Sequence, residues 1–176
     1  KRRSGELLRC LIPLESGRLS LLTGDTNSGK TEQALDAARG TCDQGRGVLF
    51  IDADATLEAS RLRRHLPARA NFWSMRPQDP EQAFAAALAF CQRAPGSLLI
   101  IDSLDGLLPE AAERQRTLRH SLPRLIGSAY ANRCELLFSA LPQRGSLSLL
   151  CRAYSSHHLN LNQQRDQGDA HDALRR

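Results

Sequence analysis

The chain has 176 residues, 41% of them hydrophobic and 24% charged, with a net charge of +5 from 24 basic and 19 acidic side chains. That length fits one domain with a proper core, and no stretch approaches the roughly 20 apolar residues of a membrane span, so no membrane-spanning helix is expected. Five scattered cysteines, Cys10, Cys42, Cys91, Cys134 and Cys151, match no metal-site or disulfide spacing and point to a reducing, cytoplasmic-type compartment, or a nuclear one in a eukaryote. There is no signal-peptide pattern, and the start at Lys1-Arg2-Arg3 without a methionine fits either a processed form or an expressed piece.

Arg18 to Thr23 is expected to form a strand running into Gly24-Asp25-Thr26-Asn27-Ser28-Gly29-Lys30-Thr31, and Thr31 to Arg39 the helix that leaves it. That octapeptide is a complete Gly-x-x-x-x-Gly-Lys-Thr phosphate loop. The glycines let consecutive N–H groups turn inward onto phosphates, and Lys30 supplies a point charge for the β and γ phosphates. Thr31 supplies a hydroxyl to the Mg²⁺ that travels with them. The helix N-terminus adds its partial positive charge to the anion site.

Val48 to Ile51 is the second predicted strand, ending in Asp52-Ala53-Asp54. Two acids at alternate positions share a strand face, and either could orient an attacking water. They could equally cap the helix expected from Ala59 to Leu66 or pair with arginines. Phe72-Trp73 is assigned to the core or to a partner-facing surface. Glu81 to Arg93 is an alanine-rich helix whose Phe84 and Phe90 form a packed face. Leu98 to Ile101 is the third strand. It ends in Asp102-Ser103, placing a carboxylate where it can reach the Mg²⁺ coordination sphere. Ala111 to Tyr130 is a long helix that Pro123 is expected to divide or kink. Glu135 to Ser139 is the fourth strand. Tyr154 to Leu161 is the fifth, alternating in character and therefore assigned to an antiparallel edge. His157 and His158 point to opposite faces there and cannot share a metal. Strand–helix alternation of this kind predicts an α/β fold with a mostly parallel sheet. Residues 1–162 make the core, and 163–176 form a polar tail read as disordered.

The phosphate loop, Phe50-Ile51-Asp52-Ala53-Asp54-Ala55-Thr56-Leu57, Pro77 to Ala83 and Ile100-Ile101-Asp102-Ser103 come at separations that resemble the ATPase core of the RecA recombinases. The likeness runs from about Gly5 to Asn162 and includes Tyr154 to Leu161, which resembles the strand after the family's second DNA-binding loop. It implies a three-layer P-loop NTPase fold. It also implies ATP and Mg²⁺ as cofactors, single-stranded DNA as a ligand, and a protein partner or further copies of the chain as neighbours. Residue by residue, Gly24 to Thr31 become the nucleotide contacts, with Lys30 and Asp102 among the catalytic groups. Thr31 and Asp102 become the Mg²⁺ side. Asp54 takes the place of a catalytic glutamate and is one methylene shorter. Arg61 falls near the position that stacks on adenine, a role weighed against that of a solvated arginine. Arg114, Arg116 and Arg119 occupy the first DNA-binding region. The departures also matter. Ala140-Leu141 stand where the family has a polar Asn-Gln pair, and both DNA-binding regions are short. The family's subunit-gripping N-terminal segment and its basic C-terminal residues have no counterpart here. The implied function is ATP binding by a recombinase paralogue in recombination or repair, with hydrolysis that is weak or depends on a partner or on single-stranded DNA. A non-hydrolysing scaffold subunit is the alternative.

Overall fold

The computed structural model describes residues 12–109, 111–142 and 154–162, and the side chains of 111–114, 117 and 118 lie outside that description. Six strands form one sheet: β1 Leu19–Thr23, β2 Val48–Asp52, β3 Phe72–Met75, β4 Leu98–Asp102, β5 Glu135–Ala140 and β6 Ser155–Asn160. Five helices connect or flank them: α1 Lys30–Asp43, α2 Ala59–His65, α3 Pro80–Arg93, α4 Leu104–Leu107 and α5 Ala111–Ala131. The strand order is β3-β2-β4-β5-β1-β6, and every pairing is parallel.

The sequence dictates this layering. β1, β2, β4 and β5 are buried at every position, as expected when helices cover both faces of a parallel sheet. Leu22, Val48, Phe50, Leu98, Ile100 and Leu137 pack on the α1 side with Ala34, Leu35 and Ala38. Leu21, Leu49, Ile51, Ile101, Leu136 and Phe138 pack on the opposite side with Phe84 and Ala87 of α3 and Leu122, Leu125 and Ala129 of α5. The result is a helix–sheet–helix sandwich, the α/β class predicted from the sequence.

Three local expectations are corrected. β6 runs parallel to β1 rather than antiparallel, with one register shift between Leu19 and Ser20. Its alternating burial arises because it is an edge with one covered side, not because the chain reverses. Phe72–Met75 is a four-residue edge strand, where the sequence led us to expect no strand. Its Phe72 ring meets Phe50 with centroids 6.2 Å apart, and Trp73 meets Phe90 edge-on at 6.0 Å, so its packing is aromatic rather than aliphatic. α5 continues through Pro123 as one helix, anchored on either side by buried Leu122 and Leu125. The tail assigned to 163–176 lies outside the described residues.

Two elements carry conventional start signals. Asp79 caps α3 by accepting the Gln82 N–H at 2.7 Å, with Pro80 at the first helical position. Ser103 caps α4 by accepting the Gly106 N–H at 3.1 Å. α1 starts without a side-chain cap, from Gly29 at φ 97°. Its leading N–H groups are thus left to the loop and to whatever anion the loop receives.

Candidate functional site

In a parallel sheet all C-terminal strand ends lie on one edge, and ligand crevices form there. The phosphate loop follows β1, Asp54 follows β2, Asp102 ends β4 and Leu141 follows β5, so topology alone gathers them. They surround a cleft of about 500 Å³ that also includes Glu32, Thr56, Arg61, Ser103 and Asp105.

The loop is shaped by two left-handed residues, Asn27 at φ 64° and Gly29 at φ 97°. Gly24 cannot carry a side chain, because a Cβ there would occupy the space of the Ser28 hydroxyl. That hydroxyl is the one buried side-chain polar atom without a hydrogen-bond partner among the described residues. An unpaired donor in a loop of inward-turned N–H groups suits a phosphate oxygen. Lys30 Nζ donates to the carbonyls of Gly24 at 2.7 Å and Asp25 at 2.8 Å, folding its ammonium back over the loop. Burial pulls the Lys30 pKa down, opposed by the negative charges of Asp102, Asp105, Asp54 and Asp25. The loop is also clamped from the far edge. Asn162, just past β6, accepts the Asp25 N–H at 3.0 Å and donates to the Asp25 carboxylate at 2.7 Å.

Thr31 Oγ1 donates to Asp102 Oδ2 at 2.7 Å, joining residues 71 positions apart. The other oxygen of Asp102 accepts from the Ser139 hydroxyl on β5. Asp102 is only 2% exposed, and burial raises its carboxyl pKa although Ser139 and Thr31 act the other way. A nearby dication would relieve that cost. Among the described residues no cluster of three His, Cys, Asp or Glu could hold a metal alone. Two hard oxygen donors fit Mg²⁺ held largely by phosphate oxygens and water, the usual habit of that ion.

The two acids of the second strand are separated by their surroundings. Asp52, 2% exposed, accepts the N–H groups of Thr56 at 2.9 Å and Leu57 at 3.1 Å, and Arg76 Nε at 3.1 Å. It therefore fixes the turn 53–57, in which Ala55 sits at φ 54°. Asp54 projects from that turn into the cleft, its carboxylate resting against the Cα of Gly106, where any added Cβ would collide with it. Arg61 lines the cleft too, but it is tied to Glu32 by an ion pair rather than fully solvated.

Ser139, Asp105, Glu32 and Asn162 were not singled out from the sequence. A serine inside the buried run Leu136 to Ala140 was the available signal for Ser139. Asp105 accepts the Leu141 N–H at 2.6 Å, so a carboxylate supports the backbone where Ala140-Leu141 offers no polar side chain. Arg116 and Arg119 are exposed on α5 and are not among the residues lining the cleft, and the Arg114 side chain lies outside the described residues. His158 Nε2 and Thr23 Oγ1 are 2.8 Å apart, and His157 meets Glu15 at 2.7 Å, separate structural contacts as their opposite faces require.

A phosphate loop between the first strand and helix of an all-parallel three-layer α/β sheet is a P-loop NTPase architecture, consistent with the RecA-like form of it. No family model matches the chain. It is similar to the protein RecA of Nitratidesulfovibrio vulgaris (strain DSM 19637 / Miyazaki F), 29% identical over 133 residues, covering 69% of this chain and 37% of that protein. It is 28% identical to protein RecA of Desulfovibrio desulfuricans over the same coverage. It is 26% identical to protein RecA of Acinetobacter baumannii (strain AYE) over 136 residues, 71% of this chain and 39% of that protein. These matches support a distant RecA-like relationship. The chain spans less than two-fifths of the length of the relatives it matches. No helix of the described residues is long and apolar enough to cross a membrane.

Proposed function

We propose that the chain is a RecA-like ATP-binding protein that assists homologous recombination or DNA repair, as a paralogue with weak or DNA-dependent ATP hydrolysis. The observation that carries this reading is the Thr31–Asp102 hydrogen bond of 2.7 Å. It joins the end of the phosphate loop to the acid at the end of a buried strand, on the rim of a cleft sized for a nucleotide. The core is residues 1–162, with 163–176 as an appended tail, in a cytoplasmic protein.

In this reading Gly24 to Gly29 cradle the phosphates with backbone N–H groups, and Lys30 swings from its carbonyl partners to the phosphate charge. Thr31 and Asp102 hold Mg²⁺, which neutralises charge on the phosphates when bound. Asp54 accepts the proton of the attacking water. Arg61 faces the base. Arg114, Arg116 and Arg119 hold single-stranded DNA by its phosphates, and a protein partner or further copies complete the assembly. Hydrolysis is slow for two reasons. Asp54 is a short carboxylate seated on Gly106, and Ala140-Leu141 provides no polar side chain beside the third phosphate. The apolar Ala140-Leu141 pair also favours the second reading, a nucleotide-binding scaffold subunit without turnover.

Steady-state ATP hydrolysis with and without single-stranded DNA separates the two. Stimulation by DNA is expected, whereas tight ATP binding with no turnover under either condition overturns the hydrolase. Changing Arg114, Arg116 and Arg119 together to alanine should abolish DNA binding at low salt; binding that persists removes this surface from the proposal. Asp54→Glu restores the missing methylene and should raise kcat by up to about tenfold, within the usual reach of a better-placed general base. An unchanged or lower kcat would show that carboxylate length is not the limitation.

A further inference from the structure

Glu32 directly follows the loop threonine, and its carboxylate is engaged at both oxygens. Arg61 Nε donates to Oε1 at 2.8 Å and Arg61 Nη2 donates to the same oxygen. His65 Nε2 lies 2.8 Å from Oε2, while His65 Nδ1 stands 3.4 Å from Asp36 Oδ1. Glu32 and Asp36 are four apart on α1, and Arg61 and His65 are four apart on α2, so each pair shares a helix face. The four side chains form a ladder between two helices. Burial pushes the Glu32 carboxyl up, but Arg61, His65 and Arg64 outweigh it and hold the group below its ordinary value. The ladder matters for the seating of α2 because that helix has no buried residue of its own and rests on the core only through half-buried Leu62 and Leu66.

We propose that this ladder is a positioning device, in which Glu32 and His65 hold the Arg61 guanidinium as the wall that receives the nucleoside end of the ligand. The inference rests on the nucleotide reading of the cleft. The phosphate end is fixed by Lys30, Thr31 and Asp102, so the remainder of the ligand extends along the part of the cleft lined by Thr56 and Arg61. Arg61 is gripped by its Nε–Nη2 edge, which keeps the plane of the guanidinium for stacking on a base. Glu32 removes the rotamer freedom that a long arginine would otherwise lose on binding. Glu32 and His65 are positioning residues in this scheme and touch no phosphate.

The test compares dissociation constants for Mg·ATP and Mg·tripolyphosphate in the unaltered chain, Glu32→Ala, Glu32→Gln and His65→Ala. Glu32→Ala should weaken ATP binding by about threefold to fivefold, the upper range of a partly exposed ion pair, while tripolyphosphate binding stays within about twofold. Glu32→Gln, which keeps an acceptor oxygen, and His65→Ala should fall between. Retained tripolyphosphate binding shows that the loop is folded in each variant. Equal weakening of both ligands, no effect on ATP, or tighter ATP binding would each overturn the positioning role. An unaltered chain that binds neither ligand would instead overturn the nucleotide reading itself.

Discussion

Lys30→Ala is expected to weaken Mg·ATP binding by about a hundredfold or more and to abolish any turnover. The ammonium is a half-buried charge whose ionised form is penalised by burial in the cleft. Its two carbonyl partners, Gly24 and Asp25, are neutral. A triphosphate offers the same group anionic acceptors, and charge-assisted hydrogen bonds in a partly buried site contribute about 1.5–3 kcal/mol each. Two such bonds correspond to roughly two or more decades in affinity. Folding stability should change little, because the lost bonds lie within one loop. Titration calorimetry with Mg·ATP reads the affinity, and a thermal melt without ligand checks the fold. An affinity within about threefold of the unaltered chain would remove the phosphate loop from the binding site. The pH dependence has a definite sign. A lysine whose pKa is lowered by folding disfavours the folded state while it stays protonated. The folded chain therefore gains stability as pH rises through the folded-state pKa. An anion bound at the loop acts against that shift and should flatten it.

Asp52→Ala should cost about 2–4 kcal/mol of stability and lower turnover as well. The side chain is buried and receives two backbone N–H groups, Thr56 and Leu57, together with Arg76. Alanine leaves the buried Leu57 N–H unpaired, at about 1–3 kcal/mol, and the part-buried Thr56 N–H, which water can partly reach, at about 1 kcal/mol. The same turn carries Asp54, so freeing it displaces the acid from the cleft. Asp52→Asn retains one acceptor and should recover about half of the loss. Arg76→Ala should cost only about 0.5–1 kcal/mol, since that side chain is 60% exposed and the pair is screened. Urea denaturation midpoints give the order of the three variants. Asp52→Ala within about 0.5 kcal/mol of the unaltered chain would mean that the turn does not depend on this carboxylate.

The sheet was legible wherever the sequence concentrates aliphatic residues. Leu19 to Leu22, Val48 to Ile51 and Leu98 to Ile101 are continuous runs because both faces of a parallel sheet are covered, and such runs have few alternatives. β3 was not legible. Four residues with one serine and exposed Trp73 carry no period, and the strand is held by pairing to β2 and by ring contacts with Phe50 and Phe90. The direction of β6 was hidden for a related reason. Alternating burial fits an edge strand of either direction, and only its partner determines whether it runs parallel.

The candidate site divides along the same line. The motif Gly24 to Thr31 and the strand-terminal Asp102 are local patterns, because each position has a fixed chemical task that only a few residue types perform. The sequence by itself therefore determined the fold class and marked the loop and Asp102 as candidate site residues, which the fold brings within hydrogen-bond reach of each other. Spacing alone left Asp52 and Asp54 as equals on one strand face, and only the family resemblance pointed to Asp54. Tertiary structure distinguished them, burying Asp52 under the N–H groups of its own turn and leaving Asp54 against Gly106 in the cleft. It also brought Ser139 to Asp102, Asn162 to Asp25 and Glu32 to Arg61, contacts spanning 37, 137 and 29 residues. No local pattern encodes such pairs, because which side chains meet depends on strand order and helix seating. Those are set by burial of the whole core rather than by any one segment.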